Sequence, residues 1–365
     1  MTRLCINIDA LRHNIEQVDR IITARNSSWT LVTKVLCGNR EALHELIATG
    51  IRSFGDTRLD NMHSFPADGT LFERWYLRIP SPSITEEVVE IAEVSLNSEI
   101  QTICKLNSDA KNTGKKHRII VMIELGDLRE GVLPGSLIDF YTNIFSLANI
   151  EVLGIGANIG CLSGIIPSID QLMQLVLYRE LLELKFGRKL PLISAGTSAT
   201  LSLLKSHHLP EAINHWRIGE SVFLGNDLVN GGTLDGFRDD TFILEAEIAE
   251  IKKKGMVPLG EVASVAPFEP YENEPDLPPG QRGRRALISI GELDTDVRCL
   301  IPVSNSCRIV GASSDISVIH INDEDDAIKV GNTLSFKLTY SALLRLMNGR
   351  YIPKEIIHDN SVSSP

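Results

Sequence analysis

The chain has 365 residues, 43% of them hydrophobic and 23% charged, which is the make-up of a globular protein with room for two domains or for one barrel plus an appendage. A net charge of −11 argues against a polyanion-binding surface, so nucleic acid is not an expected partner. The first residues show no basic stretch leading into an apolar core, and no apolar run reaches membrane-spanning length, so the expected location is cytoplasmic with no membrane partner. The six cysteines show neither C-x-x-C pairing nor zinc spacing and are expected to be free thiols, and the adjacent His207 and His208 do not suggest a metal site.

In chain order the pattern alternates. A β-rich run at 29–35 is followed by Asn39 as a cap and a helix at 40–49 closed by Gly50. Strand 51–56 precedes a short helix at 59–65, and strand 74–79 precedes a helix over 86–92 with Thr85 as its cap. Strand 93–97 leads to a helix from 98 towards 107, and the β-branched run 117–125 to a helix at 135–148. Strand 151–157 is followed by an amphipathic helix at 169–186, capped by Ser168 and stopped by Gly187. Strand 190–195 and helix 197–206 come next, then strand-like segments at 215–218 and 221–224 around Gly219. Eight such alternations over about 200 residues predict a closed α/β barrel, the eight-stranded (β/α)8 or TIM type, rather than an open sheet. An open sheet would place a glycine-rich phosphate loop after its first strand, and none is there.

Beyond 236 the texture changes. Phe242, Leu244, Ala246 and Ile248 alternate with acidic or small residues in a half-buried strand pattern over 241–251. A Pro/Glu-rich loop covers 267–285, and 286–290, 307–311, 317–321 and 333–338 are short strands. The expected division is a strand at 1–9 that joins a C-terminal all-β domain at 237–365, with the barrel at 10–236.

The active site of such a barrel lies at the C-terminal ends of its strands. Lys34 sits there in Leu-Val-Thr-Lys-Val-Leu, either as a desolvated amine able to attack a carbonyl or as a lysine snorkelling from a strand end. Thr197 and Ser198 open a helix, which suits a phosphate or plain N-capping. Arg217 ends a strand two residues before Gly219, where backbone can approach a ligand. Asp127, Arg129 and Glu130 close the fifth strand, either as site residues or as a salt-bridged surface loop.

Taken in order, several stretches resemble one family. They are Val-Thr-Lys-Val-Leu-Cys-Gly at 32–38, Phe-Gly-Asp-Thr-Arg-Leu-Asp-Asn at 54–61 and Glu-Leu-Gly-Asp-Leu-Arg-Glu-Gly at 124–131. Gly-Ile-Gly-Ala-Asn-Ile-Gly-Cys at 154–161, Arg-Ile-Gly-Glu-Ser-Val-Phe-Leu-Gly at 217–225, Gly-Ala-Ser-Ser-Asp at 311–315 and Leu-Thr-Tyr-Ser-Ala-Leu-Leu-Arg at 338–345 complete the set. The chain is similar to the alanine-racemase-like, fold-type III pyridoxal-phosphate enzymes, and within them to the ornithine racemase branch. That resemblance implies pyridoxal 5′-phosphate as cofactor, held as a Schiff base by Lys34, which also acts as an acid/base. It implies Arg217 facing the pyridine nitrogen, where a guanidinium leaves that nitrogen unprotonated and the cofactor a weaker electron sink. It further implies Ser198, the backbone at Gly219 and Glu220, and Tyr340 around the phosphate, where Thr197 also stands at the helix start, with Asn158 near the ring and Arg129 near the substrate carboxylate.

Two departures stand out. Where the family supplies a second base in Ser-Tyr-Gly, this chain has Pro258-Leu259-Gly260, so Asp315, Cys37 and Tyr271 are the candidates for the opposite face. The lysine motif continues Val35-Leu36-Cys37-Gly38 in place of the family's Asn-Ala-Tyr-Gly-His, so a phosphate contact is missing or replaced. The expected function is racemisation of an amino acid, ornithine or another basic one, by α-proton removal and return. The expected partner beyond that small molecule is a second copy, in a homodimer with shared active sites, because racemisation needs an acid/base on both faces of a planar cofactor. The alternatives are a pyridoxal-phosphate carrier, for which the residues after the barrel have no use, and a decarboxylase or aldolase of the same fold type.

Overall fold

The structure, a computed structural model, describes residues 1–66, 72–162, 164–205, 209–257, 259–261, 280–322 and 327–359. His207, His208, Pro258 and Tyr271 lie outside the described residues, as does most of the Pro/Glu-rich loop. The chain divides into two units, Leu11–Arg238 and Met1–Ala10 with Asp239–Pro365.

The first unit is the barrel. After β1 (Arg3–Asn7) of the other unit, helix α1 (Ile8–Thr23) carries the chain into it. The alternation then runs β2 (Ser28–Val32), α2 (Arg40–Ile47), β3 (Ser53–Asp56), α3 (Leu59–Met62), β4 (Glu73–Tyr76), α4 (Thr85–Ile91), β5 (Val94–Asn97) and α5 (Ile100–Asn112). It continues β6 (His117–Met122), α6 (Leu137–Ile144), β7 (Ile150–Gly156), α7 (Ile169–Phe186), β8 (Leu192–Thr197), α8 (Leu201–Lys205), β9 (His215–Ile218) and α9 (Glu220–Leu224). β2 to β9 form a closed barrel of parallel strands, sealed where Ser28–Leu31 pair with His215–Ile218. The expected eight-stranded α/β barrel is what the chain forms.

Local signals act as their chemistry dictates. Asn39 Oδ1 accepts from Ala42 N at 2.9 Å, and Ser168 and Gln171 form a reciprocal capping box on α7, which Gly187 ends at φ +62°. Two expectations are corrected. Thr85 is the first residue of α4, not its cap, and its hydroxyl donates to Asp109 Oδ2 at 2.6 Å, tying α4 to α5. The segment after Gly219 is helix α9, not a strand: Ser221, Val222, Phe223 and Leu224 are all buried, and four consecutive buried residues carry no periodicity to separate the two.

The second unit is a sheet in the order β12 (Leu300–Pro302), β15 (Thr333–Leu338), β10 (Phe242–Gly255), β11 (Arg282–Ile288), β14 (Ser317–Ile321) and β13 (Cys307–Ala312). β1 pairs antiparallel with β10 and parallel with β16 (Lys354–Ile357), and α10 (Tyr340–Asn348) buries Ala342, Leu343, Leu346 and Met347. The N-terminal strand therefore joins this sheet. Burial of Phe242, Leu244, Ala246 and Ile248 alternates along β10 as its sequence pattern requires.

The barrel interior is filled by side chains. Trp75, Val94, Leu96, Ile120 and Met122 form one buried cluster. Trp75 on β4 stacks on His215 of β9, ring centroids 4.3 Å apart and planes 9° from parallel, and strands that are not neighbours meet this way through the lumen. Backbones also approach closely at Gly154, where an added Cβ would sit 1.9 Å from the Leu192 carbonyl oxygen, whereas one at Gly135 would meet nothing within 4 Å. Gly154→Ala should therefore lower stability by at least about 1–3 kcal/mol in urea titration while Gly135→Ala changes it little; equal midpoints for the two variants would contradict this packing.

Candidate active site

The mouth is built from strand ends. β2 ends at Val32, and the next three residues bring Lys34 into a 3₁₀ turn, Lys34–Leu36. That turn is fixed from β3: Thr33 N donates to Gly55 O at 2.8 Å and Thr33 Oγ1 to Asp56 Oδ2 at 3.0 Å. Asp56 Oδ1 accepts from Thr57 N, Arg58 N and Asn61 Nδ2 at 2.7, 3.0 and 3.0 Å, so the 54–61 motif buttresses the lysine. Burial nonetheless leaves the Asp56 carboxyl above its ordinary range. Glu220, the first residue of α9, is likewise pushed up by burial, against the opposing charge of Lys34 and a 3.2 Å hydrogen bond from Asn226.

The ends of β8 and β9 form a polar cradle. Ser198 Oγ accepts from Gly219 N at 3.4 Å and Ser221 N at 3.3 Å, long bonds that join the two strand ends. Thr197 Oγ1 is buried and has no hydrogen-bond partner among the described residues. A Cβ at Gly219 would stand 3.0 Å from Val32 O, so glycine lets the turn lie against the strand that leads to Lys34. A buried hydroxyl without a partner beside a helix start fits a bound anion.

Arg217, on β9, is the most constrained side chain of the mouth and is 6% exposed. Its Nη1 donates to Ser194 O at 2.6 Å and to Ser194 Oγ, and its Nη2 to Ala157 O at 2.9 Å and Asn158 Oδ1 at 2.7 Å. Its Nε–H makes no hydrogen bond among the described residues, so one fixed donor remains for a ligand acceptor. Burial lowers its pKa, and Glu130, with which it has no direct ion pair, acts in the opposite direction.

The far side of Ser194 leads inward. A guanidinium cannot accept, so the Ser194 hydroxyl proton is available to His215 Nδ1 at 2.8 Å. His215 then carries its proton on Nε2, toward Thr30 Oγ1 at 3.1 Å, which meets Ser53 Oγ at 2.7 Å. Burial, helped by the charge of Arg217, holds His215 down to about 3, so it stays neutral beside the arginine.

Arg129 lies in the loop after β6, exposed, with Glu130 accepting from its Nε and, at 2.8 Å, from its Nη2. Asp127 Oδ1 accepts from Gly160 N at 3.1 Å and Leu162 N at 3.3 Å, which ties this loop to the one following Asn158. The structure thus brings Arg129, Asn158 and Arg217 into one hydrogen-bonded group, and Thr197, Ser198, Gly219 and Glu220 into a second, with the Lys34 charge felt at Glu220. Asp315 and Tyr340 belong to the β unit, the first exposed in the turn between β13 and β14, the second opening α10. Cys37 is partly exposed in the left-handed region, φ +49°, three residues from Lys34. Ser194 and His215 were not singled out as site residues. Their signal was the two-residue period of a strand, which puts His215 on the face of Arg217. Among the described residues no cluster of His, Cys, Asp or Glu could hold a metal ion.

Residues 6–227 match the family of the alanine racemase N-terminal domain. The chain belongs to the alanine racemase family. An ornithine racemase from Acetoanaerobium sticklandii is 34% identical over 356 residues, 97% of this chain and 99% of that one. A lysine racemase from Thermotoga maritima is 32% identical over 352 residues, 96% of this chain and 97% of its own. Among solved structures, the fold is similar to alanine racemase from Corynebacterium glutamicum (TM-score 0.73, 17% identity, 98% and 99% of the two chains). It is also similar to alanine racemase from Bartonella henselae with covalently bound pyridoxal phosphate (TM-score 0.74, 15% identity, 98% and 99%). Within the family fold, buried histidines make stability depend on pH. His117 Nε2 lies 2.8 Å from Ser95 Oγ, and burial, then the nearby Arg118, lowers it from 6.5 to about 4. The unfolded chain takes up the proton first, so its contribution is whole above 6.5 and is lost as pH falls toward 4. His117→Gln should flatten the urea-midpoint profile between these values by up to about 1.4 kcal/mol per pH unit, and an unchanged slope would contradict the neutral buried state.

Proposed function

We propose that the chain is a pyridoxal-phosphate-dependent racemase of basic amino acids, ornithine or lysine, with Lys34 as the lysine that holds the cofactor. Its racemase relatives match it over nearly their full length. The observation that carries the cofactor assignment is the pair of unspent polar groups in the barrel mouth. The Thr197 hydroxyl is buried without a partner, and the Arg217 guanidinium is saturated except at Nε. An anion beside Ser198 and the Gly219 turn, and a ring nitrogen against Arg217 Nε–H, would satisfy both.

Pyridoxal phosphate, when bound, draws electrons from the α-carbon of an amino acid and so eases removal of its α-proton. The protein's own groups do the rest. Lys34 supplies the amine that binds the cofactor's carbonyl and takes or returns the α-proton on one face. Arg217 keeps its proton, so no proton passes to the ring nitrogen, and electron withdrawal stays limited enough for the α-carbon to be reprotonated. Thr197, Ser198 and the backbone of Gly219 and Glu220 hold the phosphate. Arg129 binds the substrate carboxylate through the Nη1 that Glu130 leaves open. Asp315 is the candidate acid/base for the other face, supplied by a partner in a homodimer; its exposure in a turn leaves the carboxylate accessible.

In deuterated water with pyridoxal phosphate, the protein should convert L-ornithine or L-lysine to a racemic mixture with deuterium at the α-carbon. Lys34→Ala should abolish both this and reducible attachment of cofactor, and mixing Lys34→Ala with Asp315→Ala protein should restore activity. Absence of α-exchange with every basic amino acid would favour the carrier reading. Loss of carbon dioxide would favour the decarboxylase. Reducible cofactor surviving in Lys34→Ala would remove Lys34 from its role.

A further inference from the structure

Arg217 on β9 and Arg129 in the loop after β6 bring two guanidinium groups to one mouth, connected through Asn158 in the loop after β7. Two cations converging on one small mouth repel each other and drift apart unless something fixes both. Neither Ser194 nor His215 can do this, since one is uncharged and the other is held neutral by burial.

Glu130 meets the requirement. One carboxylate oxygen accepts from Arg129 Nε, and the other from Arg129 Nη2 at 2.8 Å. That second oxygen, Oε1, also accepts from Asn158 Nδ2, whose amide Oδ1 in turn accepts from Arg217 Nη2 at 2.7 Å. The side chain is 15% exposed against 38% for Arg129, so this carboxylate is shielded from solvent more than its partner. Burial alone would raise its pKa, yet the hydrogen bonds from Arg129 and Asn158 hold it below the ordinary carboxylate range. The amide of Asn158 has a single orientation that serves both neighbours. Its NH₂ must face the carboxylate and its oxygen the guanidinium, and the reverse orientation would set donor against donor at Arg217. The ionised state of Glu130 therefore dictates the orientation of Asn158, and Asn158 with Ser194 and Ala157 dictates that of Arg217.

We propose that Glu130 is a positioning residue for both arginines of the site, holding Arg129 directly for the substrate carboxylate and Arg217 through Asn158 for the cofactor ring. The inference rests on the racemase reading above and adds a residue to it. Its charge, not its bulk, does the work. A glutamine has the same length and can still accept, but its NH₂ group would face Arg129 or Asn158, both donors, and no anion would offset the two cations.

The test uses holoprotein carrying Glu130→Gln, Glu130→Asp and Glu130→Ala, with circular dichroism and melting temperature confirming that each variant folds. Three readouts are taken: KM and kcat for L-ornithine and L-lysine, the pH dependence of the cofactor absorbance without substrate, and the affinity of the apoprotein for pyridoxal phosphate. In Glu130→Gln the KM should rise roughly 10- to 100-fold, the cost of a lost charge-assisted hydrogen bond, with a smaller fall in kcat. Its cofactor absorbance should titrate at a shifted pH, its cofactor affinity should weaken, and Glu130→Asp should recover part of each change. Folded Glu130→Gln and Glu130→Ala proteins with wild-type KM, absorbance profile and cofactor affinity would overturn the assignment while leaving the racemase reading intact. A wild-type protein that binds no pyridoxal phosphate would overturn the racemase reading and this inference with it.

Discussion

The account turns on a guanidinium buried in a barrel with no carboxylate against it. Arg217 is held by two carbonyl oxygens, a hydroxyl and an amide oxygen, all neutral acceptors. Taking such a charge out of water is costly, and chains keep it when the neighbouring groups are arranged to hold it. Here the arrangement reaches inward and outward. Inward, Ser194 donates a hydrogen bond to a histidine that burial keeps neutral, so no second positive charge opposes the first. Outward, Asn158 carries the contact to Glu130 and Arg129 at the rim. Two donors beside this chain, the Arg217 Nε–H and the Thr197 hydroxyl, make no hydrogen bond among the described residues.

The lysine turn continues Val35-Leu36-Cys37-Gly38, and its Val35 and Leu36 are buried, so it offers hydrophobic anchorage. A polar cradle stands at the ends of β8 and β9, where Thr197, Ser198 and the glycine turn lie together. Rigidity at Lys34 comes from a different place again, through Thr33 and the heavily hydrogen-bonded Asp56 of the next strand. The Lys34 turn is thus anchored by the neighbouring strand end, and the cradle by the ends of β8 and β9.

The barrel was legible because eight apolar runs alternate with capped helical stretches, and caps such as Asn39 and Ser168 mark their boundaries chemically. Helix α1 carries an equally clear stripe of Ile8, Leu11, Ile15, Val18 and Ile22, buried at three- and four-residue spacing. α9 was misread because a five-residue helix with a fully buried interior shows no stripe, and only Gly219 before it and Gly225 after it, at φ +68°, mark its ends. The site residues Lys34, Thr197, Ser198 and Arg217 stand out as polar groups at strand ends. Glu130 is legible only as part of the polar cluster that closes the fifth strand, and His215 is not legible as a site residue. Their roles come from contacts between strands far apart in sequence, Glu130 to Asn158 and His215 to Thr30 and Trp75, and local pattern does not carry that information.

A crystal structure of the protein loaded with pyridoxal phosphate tests the central claim most directly. The account predicts the ring nitrogen about 2.7–3.2 Å from Arg217 Nε, with the guanidinium still bound to Ser194 and Asn158, and a phosphate oxygen on Thr197 Oγ1. A ring nitrogen facing a carboxylate, or a phosphate seated away from Thr197 and Ser198, would contradict it.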